Sequence, residues 1–154
     1  MKDDRVPRVV VAFTGRWRFL SNFYPCTVPH MGMNFPSAEH AYQASKVYSI
    51  DERIRIKEMI TPGAAKRYGA GVRLRADWES VKLDEMRAVV RAKFESSPAL
   101  RSDLAATGDM ELIEGNNWGD RFWGQVDGVG LNWLGRILMD LRASYTGAVK
   151  RKGD

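Results

Sequence analysis

The sequence predicts a small single α+β domain, dominated by helices and carrying a few short strands. Three observations predict it. Capped stretches with helix-forming or helically spaced apolar residues recur from Ser37 onward. The clear β-type runs are short and lie before Pro36. No internal repeat, low-complexity segment or second-domain boundary interrupts the 154 residues, a length that buries about 70% of the unfolded surface in one core. The expected domain is 1–145, followed by a flexible basic tail, 146–154, that holds Lys150, Arg151 and Lys152.

In chain order, residues 1–8 are charged and expected to be loose. Val9–Phe13 is a β-branched apolar run that reads as a buried strand ended by Gly15. Thr27-Val28 and Met33-Asn34-Phe35 read as a hairpin turning near His30-Met31-Gly32. Pro36-Ser37 stops the chain and supplies a hydroxyl N-cap for a helix through Lys46. Asp51 is the expected cap of a second helix, ended near Ile60 by Thr61-Pro62. A short helix from Pro62 follows, with Gly69 as its C′ residue. The linker Gly71–Arg75 carries two arginines. The longest helix then runs from Asp77 to about Glu95, with Trp78, Val81, Met86, Val89, Val90 and Phe94 at core spacing. Ser97-Pro98 opens another helix, which stops before Gly108. Met110–Glu114 fits a strand or a helical turn equally. Residues 115–130 hold five glycines without any sustained period, and a loop this long inside a domain is functional or disordered. Its two tryptophans and a Phe argue against disorder. Leu134, Ile137, Leu138 and Leu141 mark a closing amphipathic helix.

Composition narrows the function classes. Hydrophobic content of 44% and charged content of 28% are those of a soluble globular protein. Cys26 is the only cysteine, so no internal disulfide forms and a reducing compartment fits. No run of about 18 apolar residues exists and the N-terminus lacks a signal-peptide core. The expected location is cytoplasmic, with no membrane partner. Two histidines and one cysteine give no zinc-type ligand set, and no Walker loop or dinucleotide fingerprint occurs, so neither metal nor cofactor is expected. The net charge of +5 leans toward anionic partners, though part of it lies in the tail.

The chemistry-bearing residues gather in two places. On the Ser37 helix, Glu39, Tyr42, Gln43 and Lys46 share one face at about 100° per residue. Such a stripe is commonly a solvated face. Its flanks, Phe19, Phe23 and Phe35, are apolar and point to a cleft, where a Glu is tuned for acid or base work. Lys46 fits a salt bridge or phosphate contact, or an amine nucleophile if desolvation lowers its pKa. His40 points elsewhere on the helix and reads as a packed residue. In the glycine-rich loop, Asp120 lies between Trp118 and Trp123, suited either to binding hydroxyls or to fixing the loop as an Asx turn. With Glu39 it suggests the paired carboxylates of glycoside chemistry.

Taken together, FLSNFYP, FPSAEHAYQASK, RADWESVKLDEM, SPALRSDLAATG, EGNNWGDRFWG and LNWLGRILMDLR resemble the NADAR superfamily, which includes YbiA-like proteins. The match runs from about Phe13 to Arg142 with the motifs in order. It implies a small helix-rich α+β fold and an N-glycosidase activity. Members act on early riboflavin-pathway intermediates, or remove ADP-ribose from guanine in nucleic acid. The resemblance places the catalytic Glu at Glu39, its partner Lys at Lys46 and the acidic residue before aromatic-Trp-Gly at Asp120. It places further site residues at Asn22, Phe23, Trp78 and Trp123. Tyr42 and Gln43 on the stripe, Trp118 in the loop, and Arg73 or Arg75 near phosphate complete the expected substrate contacts. The chain departs from the riboflavin-type pattern just after Trp123, where WGQVDGVG replaces WGDG and a Gly/His/Lys-rich run.

The expected activity is therefore hydrolysis of the N-glycosidic bond between an ADP-ribose or ribose phosphate and an amine. ADP-ribosylated guanine is favoured by the basic charge and the altered loop, so ADP-ribosylated nucleic acid is a further partner class. A riboflavin-intermediate N-glycosidase is the alternative within the chemistry. A non-catalytic ADP-ribose or nucleotide reader is the rival outside it; a reader has no use for a proton shuttle such as Glu39 with Lys46.

Overall fold

The computed structural model describes residues 8–147. In chain order the elements are β1 (Val9–Val10), a 3-10 helix (Gly15–Leu20), β2 (Val28–His30), β3 (Met33–Phe35) and the helices α1 (Ala38–Ala44), α2 (Ile50–Lys57), α3 (Pro62–Ala70), α4 (Trp78–Glu95) and α5 (Pro98–Ala106). β4 (Glu111–Leu112) and α6 (Trp133–Thr146) follow. The fold is α+β and dominated by helices, as the sequence predicts. The chain groups into two compact units: Asn22–Pro98, and the segments on either side of it. Residues 1–7 of the expected loose stretch and 148–154 of the expected tail lie outside the described residues, whereas the Arg8 carbonyl accepts from the Glu111 N–H at 2.9 Å and Thr146 is the last residue of α6.

The unit Asn22–Pro98 holds the stripe. β2 and β3 pair antiparallel with Val28 opposite Phe35 and His30 opposite Met33. Met31 (φ 51°) and Gly32 (φ 74°) both take the left-handed conformation, as a two-residue hairpin turn requires. Ser37 then caps α1 by accepting from the His40 N–H at 3.1 Å. Val28, Phe35, Ala38, Ala41, Ala44, Val47, Ile56, Ala65 and Val89 form one buried cluster. The alanines matter here: small side chains on α1 let α2, α3 and α4 pack closely around it. Two cap assignments differ from the sequence reading. Ser49, not Asp51, caps α2 through the Glu52 N–H, and Asp51 takes a first-turn position at the positive helix end. Gly69 lies within α3, which closes at Gly71.

In the other unit, β1 and β4 pair in parallel, Val9 with Glu111 and Val10 with Leu112. The Val9–Phe13 run is thus strand for two residues only, because its partner is two residues long; Met110–Glu114 resolves as the strand option. α6 packs on β4 with Leu134, Ile137, Leu138 and Leu141 buried. The buried Arg142 guanidinium donates to Thr107 Oγ1 (3.0 Å) and the Met110 carbonyl (2.8 Å), occupying acceptors just past α5. Among the described residues, no helix is long and apolar enough to cross a membrane.

Candidate functional site

The stripe on α1 is buried. Glu39, Tyr42 and Gln43 are only 7%, 7% and 4% exposed. A carboxylate in the first turn of α1 is electrostatically favoured by the helix N-terminus. The Glu39 N–H, one of the helix's orphan donors, is taken by the Asn22 carbonyl at 3.0 Å. Asn22 itself is buried, with Nδ2 against Met86 Sδ at 3.4 Å. Gln43, one turn along, donates from Nε2 to Glu39 Oε1 at 2.8 Å. Its own Oε1 is a buried acceptor without a hydrogen-bond partner among the described residues, and lies against the face of α3 at Gly69. Gly69 is therefore a close-approach glycine: a Cβ there would lie 2.6 Å from Gln43 Cδ.

Lys46 stands two residues past the end of α1, in a turn. Its Nζ reaches the Gly69 carbonyl in the last turn of α3 at 3.4 Å and lies 5.7 Å from the Tyr42 ring centroid. Burial pushes the amine below the usual lysine range; the Glu39 carboxylate opposes that shift, and the Lys66 ammonium adds to it. Lys66 was not singled out in the sequence. It stands three residues before Gly69 on α3, so it shares the helix face that meets α1. Its Nζ lies 5.8 Å from the Phe23 ring centroid, and Phe23 is 40% exposed. Tyr42 packs at 5.4 Å and 50° on Trp78, the first residue of α4, which is itself buried. Glu39, Tyr42, Gln43, Lys46 and Trp78 are thus brought together, with Asn22 at the foot of α1 and Phe23 beside Lys66.

The remaining predicted residues divide. Arg73 is exposed. Arg75 is committed within the protein: Nε and Nη2 donate to the Asp77 carboxylate at 2.6 and 2.9 Å, and Nη1 to Glu85 Oε1 at 3.4 Å. The hydrogen bonds from Arg75, helped by one from the Tyr48 hydroxyl, hold Asp77 down to a pKa of about 2. His40 is packed, as expected. Its Nε2 faces the Met59 carbonyl at 2.9 Å and must carry the proton, so Nδ1 accepts from Ser37 Oγ at 2.6 Å.

Asp120, Trp118 and Trp123 belong to the other unit. Asp120 Oδ1 accepts from the Phe122 and Trp123 N–H groups at 3.0 and 2.9 Å, an Asx turn. Asn116 closes the loop from the other side, accepting from Asp120 N at 3.0 Å and donating to its carbonyl at 2.8 Å. The carbonyls of Phe122 and Trp123 then accept the first N–H groups of α6, so this loop is the cap of that helix. Phe122 and Trp123 meet edge to face at 4.7 Å, while Trp118 is 58% exposed.

A family model described as the NADAR domain matches residues 12–145. Riboflavin biosynthesis protein VVA0006 of Vibrio vulnificus (strain YJ016) is 42% identical over 129 residues, which are 80% of this chain and 34% of that protein. N-glycosidase YbiA of Escherichia coli (strain K12) is 39% identical over 125 residues, 79% of this chain and 78% of that one. The chain thus spans most of YbiA but only a third of the Vibrio protein. The NMR structure of the E. coli protein YbiA superposes with a TM-score of 0.80 at 32% identity, covering 97% of this chain and 94% of that one.

Proposed function

This chain belongs to the NADAR domain family, and from that premise we propose that it is a hydrolase of N-glycosyl compounds, releasing an amine from C1 of a ribose. The observation that carries the reading is the buried Glu39 carboxylate of α1 electrostatically coupled to the half-buried Lys46 amine of the turn that follows, whose proton affinity burial lowers. A carboxylate shuttles protons; a desolvated amine beside a second cation is a nucleophile.

The chemistry follows from the bond. A ribose joined through an exocyclic amine opens when that nitrogen gives its proton to the ring oxygen, leaving an imine at C1. Glu39 carries this proton. Neutral Lys46 adds to C1, the bond from C1 to the departing nitrogen breaks, and the base leaves as a free amine. Water then resolves the Lys46 Schiff base and restores the amine. In the alternative route, water activated at Glu39 attacks C1 directly and Lys46 stays a cation. Phe23, half exposed beside Lys66, offers a ring face for the departing base, and Lys66 and Arg73 suit the phosphate. Asp120 and Trp123 are assigned to substrate by the resemblance, and Trp118 by its place in the same loop.

For the substrate, the basic charge and the altered loop after Trp123 support ADP-ribosylated guanine. A second reading, a riboflavin-pathway ribosylamine phosphate, draws on the name of the Vibrio relative. Incubation with ADP-ribosylated guanosine and, separately, with a pyrimidine ribosylamine phosphate tests both, with the released base followed by chromatography. Glu39→Gln is expected to keep the fold, since an amide oxygen still accepts from Gln43, and to lose about 10²-fold in turnover. Release from neither substrate, or a Glu39→Gln variant at parental rate, overturns the proposal.

A further inference from the structure

We infer that Arg75 is a positioning residue for Lys46: it clamps the turn that aims the amine, rather than gripping the substrate's phosphate. The inference rests on the reading of Lys46 as the reacting amine. Lys46 lies beyond the last residue of α1, where its N–H still donates to the Gln43 carbonyl at 3.2 Å but its own carbonyl and that of Ser45 are past the helix ladder and take their donors from Arg75. Both carbonyls that carry the turn are held by Arg75. The Arg75 backbone N–H donates to the Lys46 carbonyl at 2.8 Å, and Arg75 Nη1 reaches the Ser45 carbonyl at 3.4 Å.

The clamp is itself locked from three sides. Asp77 takes the guanidinium in a two-point fork, Glu85 takes Nη1, and the Tyr48 ring lies 4.7 Å from the guanidinium carbon. Tyr48 also donates to Asp77 Oδ1 at 2.9 Å. On the far side, His30 Nε2 lies 3.1 Å from both Glu85 Oε2 and Ser45 Oγ, and Ser45 Oγ donates to the Ala41 carbonyl at 2.9 Å. Residues of the hairpin, the α1 turn, the linker and α4 thus converge on two peptide units. The charge balance also argues against phosphate. One guanidinium between two carboxylates carries a formal charge of −1 as a group, which repels an anion. Four of the five guanidinium donors already have acceptors in the protein.

The test uses Arg75→Gln, Arg75→Lys and the milder Glu85→Gln, with rates expressed per folded molecule. Steady-state kinetics use whichever ribosyl substrate the parent hydrolyses. Separately, the lysines are reductively methylated with ¹³C-formaldehyde, and the Lys46 resonance is assigned by its absence in Lys46→Arg. Arg75→Gln is expected to lower kcat at least about tenfold, as misplacement of a reacting group does, with KM changed less than about threefold. Its Lys46 resonance should move toward those of exposed lysines. Arg75→Lys should not rescue, since an ammonium cannot span Asp77, Glu85 and the Ser45 carbonyl together. Glu85→Gln should shift both readouts in the same direction by less, and it carries the test if Arg75→Gln does not fold. A raised KM with intact kcat and an unmoved resonance would identify a phosphate grip and overturn the inference; so would parental behaviour in both readouts. If the parent releases nothing from any substrate, the glycosidase reading fails, whereas the Lys46 resonance still reports whether the clamp exists.

Discussion

Gly69→Ala isolates the contact on which the site's geometry depends. In most helices this change stabilises by about 0.5–1 kcal/mol, because glycine loses the most backbone freedom on folding. Gly69 sits within α3 with ordinary helical backbone, so the propensity gain applies. The new methyl, however, would lie 2.6 Å from Gln43 Cδ and 3.1 Å from Gln43 Cβ. Gln43 is 4% exposed and cannot swing into solvent. Its Cβ, fixed by α1, cannot retreat without moving that helix. Overpacking of this kind costs about 1–3 kcal/mol. The difference leaves Gly69→Ala less stable by up to about 2.5 kcal/mol, a fall in Tm of up to about 10 °C for a chain of this size. The displaced amide also gives up its 2.8 Å hydrogen bond to Glu39. A hydrogen bond to a charged group contributes about 1.5–3 kcal/mol. If the transition state depends on it fully, turnover falls about 10- to 100-fold. Thermal melts and steady-state rates measure the two effects. The double variant Gln43→Ala/Gly69→Ala should recover stability by a coupling of about 1 kcal/mol or more, while its activity stays low. A Gly69→Ala variant as stable and as active as the parent would mean that the α1–α3 contact does not hold Gln43.

Further outcomes are expected elsewhere. Lys46→Arg keeps a positive charge that is never given up, so it should lose most turnover and all borohydride-trapped sugar adduct seen by mass spectrometry; an active Lys46→Arg enzyme would instead favour direct attack by water. Asp120→Asn retains an oxygen for the Phe122 and Trp123 amides and should change stability by less than about 0.5 kcal/mol. A fall in kcat of about tenfold or more would assign its charge to substrate, as expected from the resemblance, and a parental rate would leave Asp120 a loop clip. Lys93, buried on α4, has its pKa lowered to about 8 by burial, with nearby Cys26 opposing. Between pH 8 and 10.5 the unfolded chain holds this proton and the folded chain does not, so the Lys93 contribution to stability rises with pH across that window and is lowest below it. Lys93→Met should therefore be more stable than the parent at pH 7, by up to about 3 kcal/mol, with the advantage shrinking toward pH 10.5. Denaturant melts at pH 7 and pH 10 that show a constant difference would refute this.

Much of the unit bearing the stripe was legible because its signals are local. Pro36-Ser37 before a run of good helix formers has one economical reading, and Ser37 Oγ does accept the His40 N–H. The hairpin turn needs two left-handed residues, and Met31-Gly32 supplies them. The α2 cap was misplaced because Ser49 and Asp51 are both good caps, and only the Ser49 bond to Glu52 N decides between them. Glycine is ambiguous in the same way. Gly69 looked like a helix end because glycines gather there, and its actual reason, the close passage of Gln43, is a contact between helices distant in sequence. Lys93 interrupts the apolar stripe of α4 with a charge, although its spacing of three and four residues from Val90 and Val89 puts it on the buried side.

The arginines and carboxylates were harder to read for a related reason. Sequence supplies the charge of a residue but not the charge of its neighbourhood, and the neighbourhood decides the role. Arg73 and Arg75 are two residues apart in one linker and look equivalent. Asp77 and Glu85 turn Arg75 into part of a net-negative group that holds two carbonyls, while Arg73 remains exposed. Asp120 is a similar case, since its Oδ1 is spent on two backbone amides that no spacing rule counts. Glu39 escapes this ambiguity. Glu39 and Gln43, one turn apart, share one helical face whatever packs against it, and the Lys46 amine follows in the turn just past the helix end. What the fold adds is burial, and burial is what separates a proton shuttle from a surface charge. It lowers the proton affinity of Lys46 while Glu39 works in the opposite sense, so the proposed Schiff-base route needs Lys46 to shed its proton against the Glu39 carboxylate, and in that route Glu39→Gln and Lys46→Arg should each silence turnover.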